Sequence, residues 1–286
     1  MIDKSSVKKS FSKSAITYDR FASFQLEIAN LLLFEIYSRN LQPERILDAG
    51  TGTGNIALNL SDKYKTSKIF ACDIAHGMSV FTQGKRNGHS NLYLTTADAE
   101  LLPYPSKYFN MVVSGLMLQW VSDLQKAFAE MYRVTTDSGY VYLTTLGEGS
   151  LYELKDSFET AFRLYYKDAP PVFQKFKNAE ELKLLMTAAG FKNVSFEERD
   201  EVRYYPDVET LLKTLKYIGA NHSYFVKTNG MGIKGVIKEM INIYKNKYWT
   251  SQGIKATYRV IFLKGSKYYS IDRRFGLNLK DFITKI

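Results

Sequence analysis

The sequence predicts one large domain of the α/β class. Apolar residues recur along the chain at spacings that alternate between those of a strand and those of a helix, which is typical of a parallel sheet with crossover helices. The chain has 286 residues, of which 45% are hydrophobic and 14% aromatic. It is therefore long enough to form one large core and too apolar for a disordered protein.

The composition excludes several other classes of protein. Cys72 is the only cysteine, which excludes an intrachain disulfide and a cysteine-based metal site, and no metal is expected. The longest apolar stretches, such as 28–36, are shorter than the roughly 20 residues that a membrane helix needs. No apolar segment follows the first charged residues, which disfavours secretion. We therefore expect a cytoplasmic protein that does not bind membranes.

The first half of the chain contains the elements of a parallel sheet. Residues 1–20 are polar and are interpreted as an N-terminal arm, and 21–38 place their apolar residues on one helical face. Residues 40–146 are interpreted as the cofactor-binding core, with helices at 55–64 and 122–134. Five strands are predicted in it: 45–48, 68–73, 92–96, 109–114 and 139–146, the last opened by a turn at Ser138 and Gly139.

The second half adds helices and two strands at one edge of the sheet. Substrate-side helices are expected within 147–190 and 206–250, followed by a basic tail over 264–286, all in the same single domain. The predicted helices are 150–167, 178–189, 207–218 and 231–247, and the predicted strands are 194–205 and 256–263. A helical insertion therefore separates the last two strands.

The net charge of +10 is confined to the end of the chain. Residues 202–286 hold 16 basic and 5 acidic side chains, whereas 1–150 hold 15 and 14, and 151–201 hold 8 and 10. A local basic excess usually indicates an anionic partner, such as nucleic acid, a membrane surface or an acidic protein. The alternative is a solvated face rich in lysine.

A glycine-rich turn carries the clearest chemical signal. Asp48 is followed by Gly50, Gly52 and Gly54, directly after the first strand and before a helix. Glycines let the backbone pass close to a ligand, and the helix points its first amides at the same crevice. The spacing G-x-G-x-G differs from the G-x-G-x-x-G of dinucleotide sites. Asp48, two residues before the first glycine, would accept a hydrogen bond from the ammonium group of a ligand. The pattern favours S-adenosylmethionine over NAD, and a plain glycine turn is the alternative.

Residues further along the core fit the same cofactor. Asp73 ends the second predicted strand, where a ribose requires an acceptor, although a solvated carboxylate would look the same. Asp98 and Ala99 follow the third strand, where adenine requires a polar contact, and Met78 and Leu116 are also predicted to contact the cofactor. Together these residues predict a class I S-adenosylmethionine methyltransferase fold. This Rossmann-like fold has a seven-stranded, mostly parallel sheet, here with the helical insertion, or lid, between the last two strands.

Blocks outside the glycine motif carry a more specific signal. They are 11–19 with Gln25, 118–120 with 132–134, 143–146 with 149–154, 215–222 and 256–263. Through these blocks, residues 7–265 resemble the malonyl-[acyl-carrier protein] O-methyltransferases of biotin synthesis. The sequence departs from that family at Tyr217 and Asn221, which leaves the exact substrate open.

The resemblance implies methyl transfer to the free carboxylate of a malonyl thioester on acyl carrier protein. The methyl ester would prime pimeloyl and biotin synthesis, and the cofactor would leave as S-adenosylhomocysteine. A carboxylate is already ionised at neutral pH, so this reaction requires alignment and exclusion of water rather than a general base. Tyr18, Gln119 and His222 are the predicted catalytic residues, and Tyr18 is also expected to cover the cofactor. Ordinary packing or a surface role is the alternative for each.

The same reaction requires contacts to the substrate and its carrier. The predicted residues are Trp120, Arg133, Arg203, Lys216 and Arg259. Trp120 follows the fourth strand, where the substrate-facing residues of open α/β sheets lie. Acyl carrier proteins are acidic, so the basic last third is interpreted as the surface that attracts the carrier.

Two other functions remain open. The first is methylation of another small molecule or of RNA, but no Asn/Asp-Pro-Pro-Tyr motif follows the fourth strand, where 114–119 reads SGLMLQ. The second is an assembly factor that keeps the fold without the activity. Such factors tend to lose cofactor residues, whereas the acidic and glycine residues named above are all present.

Overall fold

A computed structural model describes residues 2–167, 174–220 and 233–268. The described strands are β1 Arg45–Ala49, β2 Lys68–Asp73, β3 Leu92–Thr96, β4 Phe109–Gly115, β5 Thr135–Leu146, β6 Lys192–Tyr205, β7 Trp249–Thr250 and β8 Gly253–Ser266. The described helices are α1 Lys4–Phe21, α2 Ser23–Tyr37, α3 Asn55–Lys63, α4 His76–Gly84, α5 Leu124–Val134, α6 Tyr152–Tyr165, α7 Ala179–Ala188, α8 Val208–Tyr217 and α9 Ile233–Tyr248.

The strands form one mixed sheet in the order β3-β2-β1-β4-β5-β8-β6. The first five of these are mutually parallel. The eighth strand runs antiparallel to both of its neighbours, and the two-residue β7 pairs with its beginning. Helices α8 and α9 lie between β6 and β8 in the chain. The predicted fold class is therefore confirmed, with the short β7 as an addition.

The alternation of β1 side chains divides the core between the two faces of the sheet. Ile46 and Leu47 are adjacent and fully buried, yet they belong to different apolar clusters, because successive strand residues point to opposite faces. A third cluster packs residues from α2, α6, α8 and α9 against the first part of β8, and Tyr244 is its largest fully buried side chain. This third cluster builds the predicted substrate side of the molecule.

Two predicted boundaries are wrong. The fifth strand begins at Thr135, because Ser138 and Gly139 lie inside it, at an irregularity of its pairing with β4, rather than in a turn. The tail does not begin at residue 264, because Lys264, Gly265 and Ser266 continue β8 and pair with β5. Residues 269–286 lie outside the described residues.

The polar N-terminal segment forms a helix rather than an irregular arm. Its N-cap is Asp3, whose carboxylate accepts a hydrogen bond from the Ser5 amide. The helix packs between α4 and α8: the Ser12 hydroxyl accepts a hydrogen bond from Gly77, and the Ser10 hydroxyl donates to the Gly219 carbonyl. Helix α1 therefore crosses the edge of the sheet at which the parallel strands end.

Candidate active site

The glycine-rich loop joins β1 to α3 and is fixed to the end of β2. The amides of Gly50 and Thr51 both donate to the Cys72 carbonyl, at 2.8 and 2.9 Å. Gly50 has φ +77°, and a Cβ there would lie 2.2 Å from the side chain of Met117, so this glycine is required by protein packing. Gly52 has φ +55°, and a Cβ there would meet nothing within 4 Å. The space beside Gly52 is the part of the loop that is open to a ligand.

Asp48 lies beneath this loop with its carboxylate completely buried. Neither carboxylate oxygen has a hydrogen-bond partner of normal geometry among the described residues. Burial raises the pKa of Asp48 to about 7; the nearby Thr51 hydroxyl and Ala57 amide offset part of this effect, and the charge of Asp73 adds to it. A buried carboxylate in this condition favours a cationic ligand.

Two further buried oxygens of the loop region also lack a partner among the described residues. They are the Thr51 hydroxyl and the Asn55 side-chain carbonyl. Buried polar groups are normally hydrogen-bonded, so a cluster of unpartnered ones indicates the place of a polar ligand. Together with Asp48 and the open side of Gly52, these residues fit the ammonium end of S-adenosylmethionine.

Asp73 closes the loop from the end of β2. Its two carboxylate oxygens accept hydrogen bonds from the Gly52 amide at 2.9 Å and the Ala75 amide at 2.8 Å. Burial raises the pKa of Asp73, and these two amides counteract the rise. Each oxygen keeps a lone pair, so the carboxylate can still accept from ribose hydroxyls.

Asp98 follows β3, and it contacts the first turn of α1. The Lys4 ammonium lies 2.7 Å from Asp98 and 2.6 Å from Glu100, and the other Asp98 oxygen accepts from the Glu100 amide. Ala99, between the two acids, is nearly buried. A cation from the N-terminal helix thus bridges two acids at the predicted adenine end of the cofactor crevice. By the crevice we mean the region of the glycine-rich loop and the carboxyl ends of β2 and β3.

Tyr18 lies on the face of α1 that is turned toward the crevice. It packs against the cluster of Ala15, Ala75 and Met78, which contains the predicted cofactor contact Met78. Burial, followed by the charges of Asp73 and Asp19, raises the pKa of Tyr18, so its phenol stays neutral. The structure therefore brings Tyr18 together with Asp73 and Met78.

Gln119 and Trp120 lie beyond β4, on a single 3-10 turn. The Gln119 amide donates to the Leu116 carbonyl at 2.6 Å and accepts from the Thr145 hydroxyl at 3.0 Å. Leu116 itself has φ +50°, a conformation that side chains rarely adopt. Gln119 therefore ties the ends of β4 and β5 together and supports the backbone at Leu116. The Trp120 ring packs edge-on against Phe11 of α1, 5.1 Å between centroids.

The predicted carrier-binding cations do not form one group. Arg133 lies in the last turn of α5, directly before β5, and it binds Glu130 and the carbonyls of Leu102 and Tyr104. This is the edge where the parallel strands begin, opposite the crevice, so the structure does not bring Arg133 to the site. Lys216 is exposed on α8, and His222 lies outside the described residues.

Much of the basic excess in the last third is paired with acids from other parts of the chain. Four ion pairs, each with a nitrogen–oxygen distance of 2.8 Å, are Arg203 with Glu27, Lys247 with Asp156, Arg259 with Asp200, and Lys264 with Glu35. The free positive charge of the described part of 202–286 is therefore smaller than the sequence count suggests. The linear count of charges does not show which acids lie beside them in the fold.

A pocket of about 150 Å³ opens between the α1–α2 junction and α8. Its lining includes the Tyr205 and Tyr258 hydroxyls, which share a hydrogen bond of 3.1 Å. Arg20 and Gln25 contribute further polar groups. The pocket lies on the predicted substrate side of the sheet. Because β8 runs antiparallel to β5, it begins at the edge of the sheet where β5 ends.

Sequence reasoning missed the contacts of α1 with the glycine-rich loop and with the acids that follow β3. The Asp19 carboxylate accepts from the Thr53 hydroxyl and forms an ion pair with Lys85, and Lys4 bridges Asp98 and Glu100. The signal was present in the spacing of Val7, Phe11, Ala15, Tyr18 and Phe21, which is helical in period. The helix α4 was missed as well.

Comparison with known proteins supplies independent findings. A family model described as a methyltransferase domain matches residues 47–143. A malonyl-[acyl-carrier protein] O-methyltransferase of Geobacter sulfurreducens is 33% identical over 267 residues, which are 93% of this chain and 100% of the relative. The biotin biosynthesis bifunctional protein BioHC of Saccharophagus degradans is 31% identical over 262 residues, 91% of this chain and 46% of that protein.

A solved structure shares the fold. It is phosphoethanolamine N-methyltransferase 2 of Haemonchus contortus in complex with phosphomonomethylethanolamine and S-adenosylhomocysteine, with a TM-score of 0.54 and 18% identity. The match covers 84% of this chain and 52% of that one. Among the described residues, no helix is long and apolar enough to cross a membrane.

Proposed function

This chain belongs to the family of malonyl-[acyl-carrier protein] O-methyltransferases, and from that membership we propose its reaction and its substrates. It methylates the free carboxylate of a malonyl thioester carried on acyl carrier protein, for the synthesis of biotin. The observation that carries the proposal is the identity over the whole length of the relative, which includes the substrate-side blocks as well as the cofactor core. A cytoplasmic location is part of the proposal.

S-adenosylmethionine supplies an electrophilic methyl group on a sulfonium. In our proposal Asp48 accepts from its ammonium end, Asp73 from the ribose, and Asp98 from the adenine. The buried, unpartnered oxygens of Asp48 and the open side of Gly52 support this assignment. The product is S-adenosylhomocysteine.

The residues of this chain contribute positioning and exclusion of water. The substrate carboxylate is ionised at neutral pH, so no side chain needs to remove a proton. A tight arginine clamp on that carboxylate would stabilise the ground state, because its charge is neutralised during transfer. The neutral Tyr18 phenol and the Trp120 indole are donors of the required moderate strength, and Gln119 keeps the loop after β4 in position. His222 keeps its proposed role as a further donor.

A side-by-side assay tests the proposal. Purified protein and labelled S-adenosylmethionine are offered malonyl-carrier, malonyl-CoA, other dicarboxyl-acyl carriers, and RNA. Methyl transfer to malonyl-carrier, with loss of label on mild ester hydrolysis, is the expected result. Methylation of RNA alone, or of none of the four, would overturn the proposed substrate.

A further inference from the structure

The exposed face of α1 carries a row of cations. Lys9, Lys13, Ile16 and Arg20 are spaced four, three and four residues apart, so they form a single stripe along the helix. All four are exposed, and Ile16 lies in the middle of the stripe with 83% of its surface accessible. Ile16 thus offers an apolar side chain that a partner bound to the surrounding cations would bury.

Helix α8 extends this stripe into a broader surface. The Thr17 hydroxyl donates to the Tyr217 carbonyl, and the Phe21 and Tyr217 rings stack at 4.5 Å, so the two helices lie side by side. Lys213 and Lys216 are exposed on α8 near this contact. We refer to Lys9, Lys13, Ile16, Arg20, Lys213 and Lys216 as the α1–α8 surface.

The cations of the α1–α8 surface are not neutralised within the described part of the chain. None of the five forms an ion pair with a described residue, in contrast to Arg203 and Arg259; Lys213 also lies in the field of Asp207. Exposed charges without partners create a positive potential that reaches about 8 Å into physiological saline. An acidic partner would find five cations and one exposed apolar side chain on these two neighbouring helices.

We propose that the α1–α8 surface docks the acidic carrier protein that bears the substrate. The inference rests on the proposed function, since it assumes a carrier-borne substrate, and it adds cations of α1 to the sequence-based expectation that the basic last third attracts the carrier. Charge complementarity favours an acidic protein, and Ile16 gives that protein an apolar contact at the centre.

The position of the pocket between the α1–α2 junction and α8 supports this docking surface. Arg20 and Thr214, from α1 and α8, both line the pocket that contains the Tyr205–Tyr258 hydroxyl pair. A carrier seated on the α1–α8 surface would therefore hold its thioester arm beside the mouth of the pocket. The arm's amides and phosphate match the phenols, the Gln25 amide and the Arg20 guanidinium that line it.

The test is a charge reversal on α1, Lys9→Glu with Lys13→Glu. The KM for malonyl-carrier is expected to rise about tenfold, and its dependence on salt to weaken, because surface cations mainly steer association. Turnover of malonyl-N-acetylcysteamine, a thioester without a carrier, should change less than about twofold, because neither lysine contacts the glycine-rich loop. Circular dichroism and melting temperature verify that the helix is intact.

The matched control is Lys238→Glu with Lys245→Glu. These two lysines are exposed on α9, within the basic last third, and make no ion pair with a described residue. A control that raises the KM as much as the α1 variant would overturn the docking surface, and so would an unchanged KM in the α1 variant. If the wild-type protein does not methylate malonyl-carrier at all, the proposed function fails instead, which separates the two outcomes.

Discussion

The Lys4 ammonium lies 2.7 Å from the Asp98 carboxylate, so the first turn of α1 is anchored where the adenine of the cofactor is predicted to bind. The two side chains are 94 positions apart in sequence. The ion pair connects the helix that covers the crevice with the strand end that supplies one of its acids.

Lys4→Met should loosen this end of the crevice. A partly buried ion pair of this kind contributes about 1 kcal/mol, so dissociation of bound S-adenosylhomocysteine should become about fivefold faster. Stopped-flow displacement measures the rate, with Lys8→Met, an exposed neighbour in the same helix, as the control. Equal rates in the wild type and the Lys4 variant would show that this contact does not hold the crevice closed.

Gly50 and Gly52 should respond differently to the same substitution. A Cβ at Gly50 collides with Met117, whereas at Gly52 it meets open space, and both positions have positive φ. Gly50→Ala should therefore lower the melting temperature strongly, while Gly52→Ala costs about 1 kcal/mol of stability from backbone strain and mainly weakens cofactor binding. Calorimetry and thermal unfolding separate the two effects, and similar behaviour of both variants would contradict this assignment.

Cofactor binding should release a proton from Asp48. In the ligand-free protein its pKa is about 7, so much of the carboxyl is protonated at pH 6.5. A bound ammonium favours the ionised form and lowers this pKa. Titration calorimetry in buffers of different ionisation enthalpy should show proton release at pH 6.5 in the wild type and none in Asp48→Asn. Release of the same size in both would assign the proton to another group.

The same residue should make the stability of the ligand-free protein depend on pH. Because the pKa of Asp48 is raised from 3.8 to about 7, the folded state holds its proton more tightly, and its stability falls as pH rises between these values. The Asp48→Asn variant lacks the titrating carboxyl, so its stability does not fall in this way. Its free energy of unfolding relative to the wild type should increase by about 2–3 kcal/mol from pH 5 to pH 8. Urea titrations at both pH values measure the change, and a constant difference would refute it.

The order of acidic residues along the chain was enough to predict that three of them lie at the same edge of the sheet. Asp48 and Asp73 lie at the ends of β1 and β2, and Asp98 follows β3. The carboxyl ends of parallel strands meet at one edge of a sheet, so the topology alone brings them together. Helix α1 was not predicted because its residues are mostly polar and its stability depends on packing against α4 and α8.

Other features depend on contacts between distant parts of the chain. The requirement for Gly50 comes from Met117, and the pairing of Lys264 comes from Glu35, which is 229 positions away. No local pattern contains either relationship. For the same reason the count of charges in the last third overestimated its free positive charge and overlooked the cations of α1.

Helix α1 contacts the crevice through Lys4 and Tyr18 and presents Lys9 and Lys13 to solvent. A carrier seated on the outer row would cover the helix that itself lies over the predicted cofactor site. With both layers in place, the methyl donor would have to enter before the carrier, and its demethylated form would leave last. S-adenosylhomocysteine would then inhibit competitively against S-adenosylmethionine and non-competitively against malonyl-carrier.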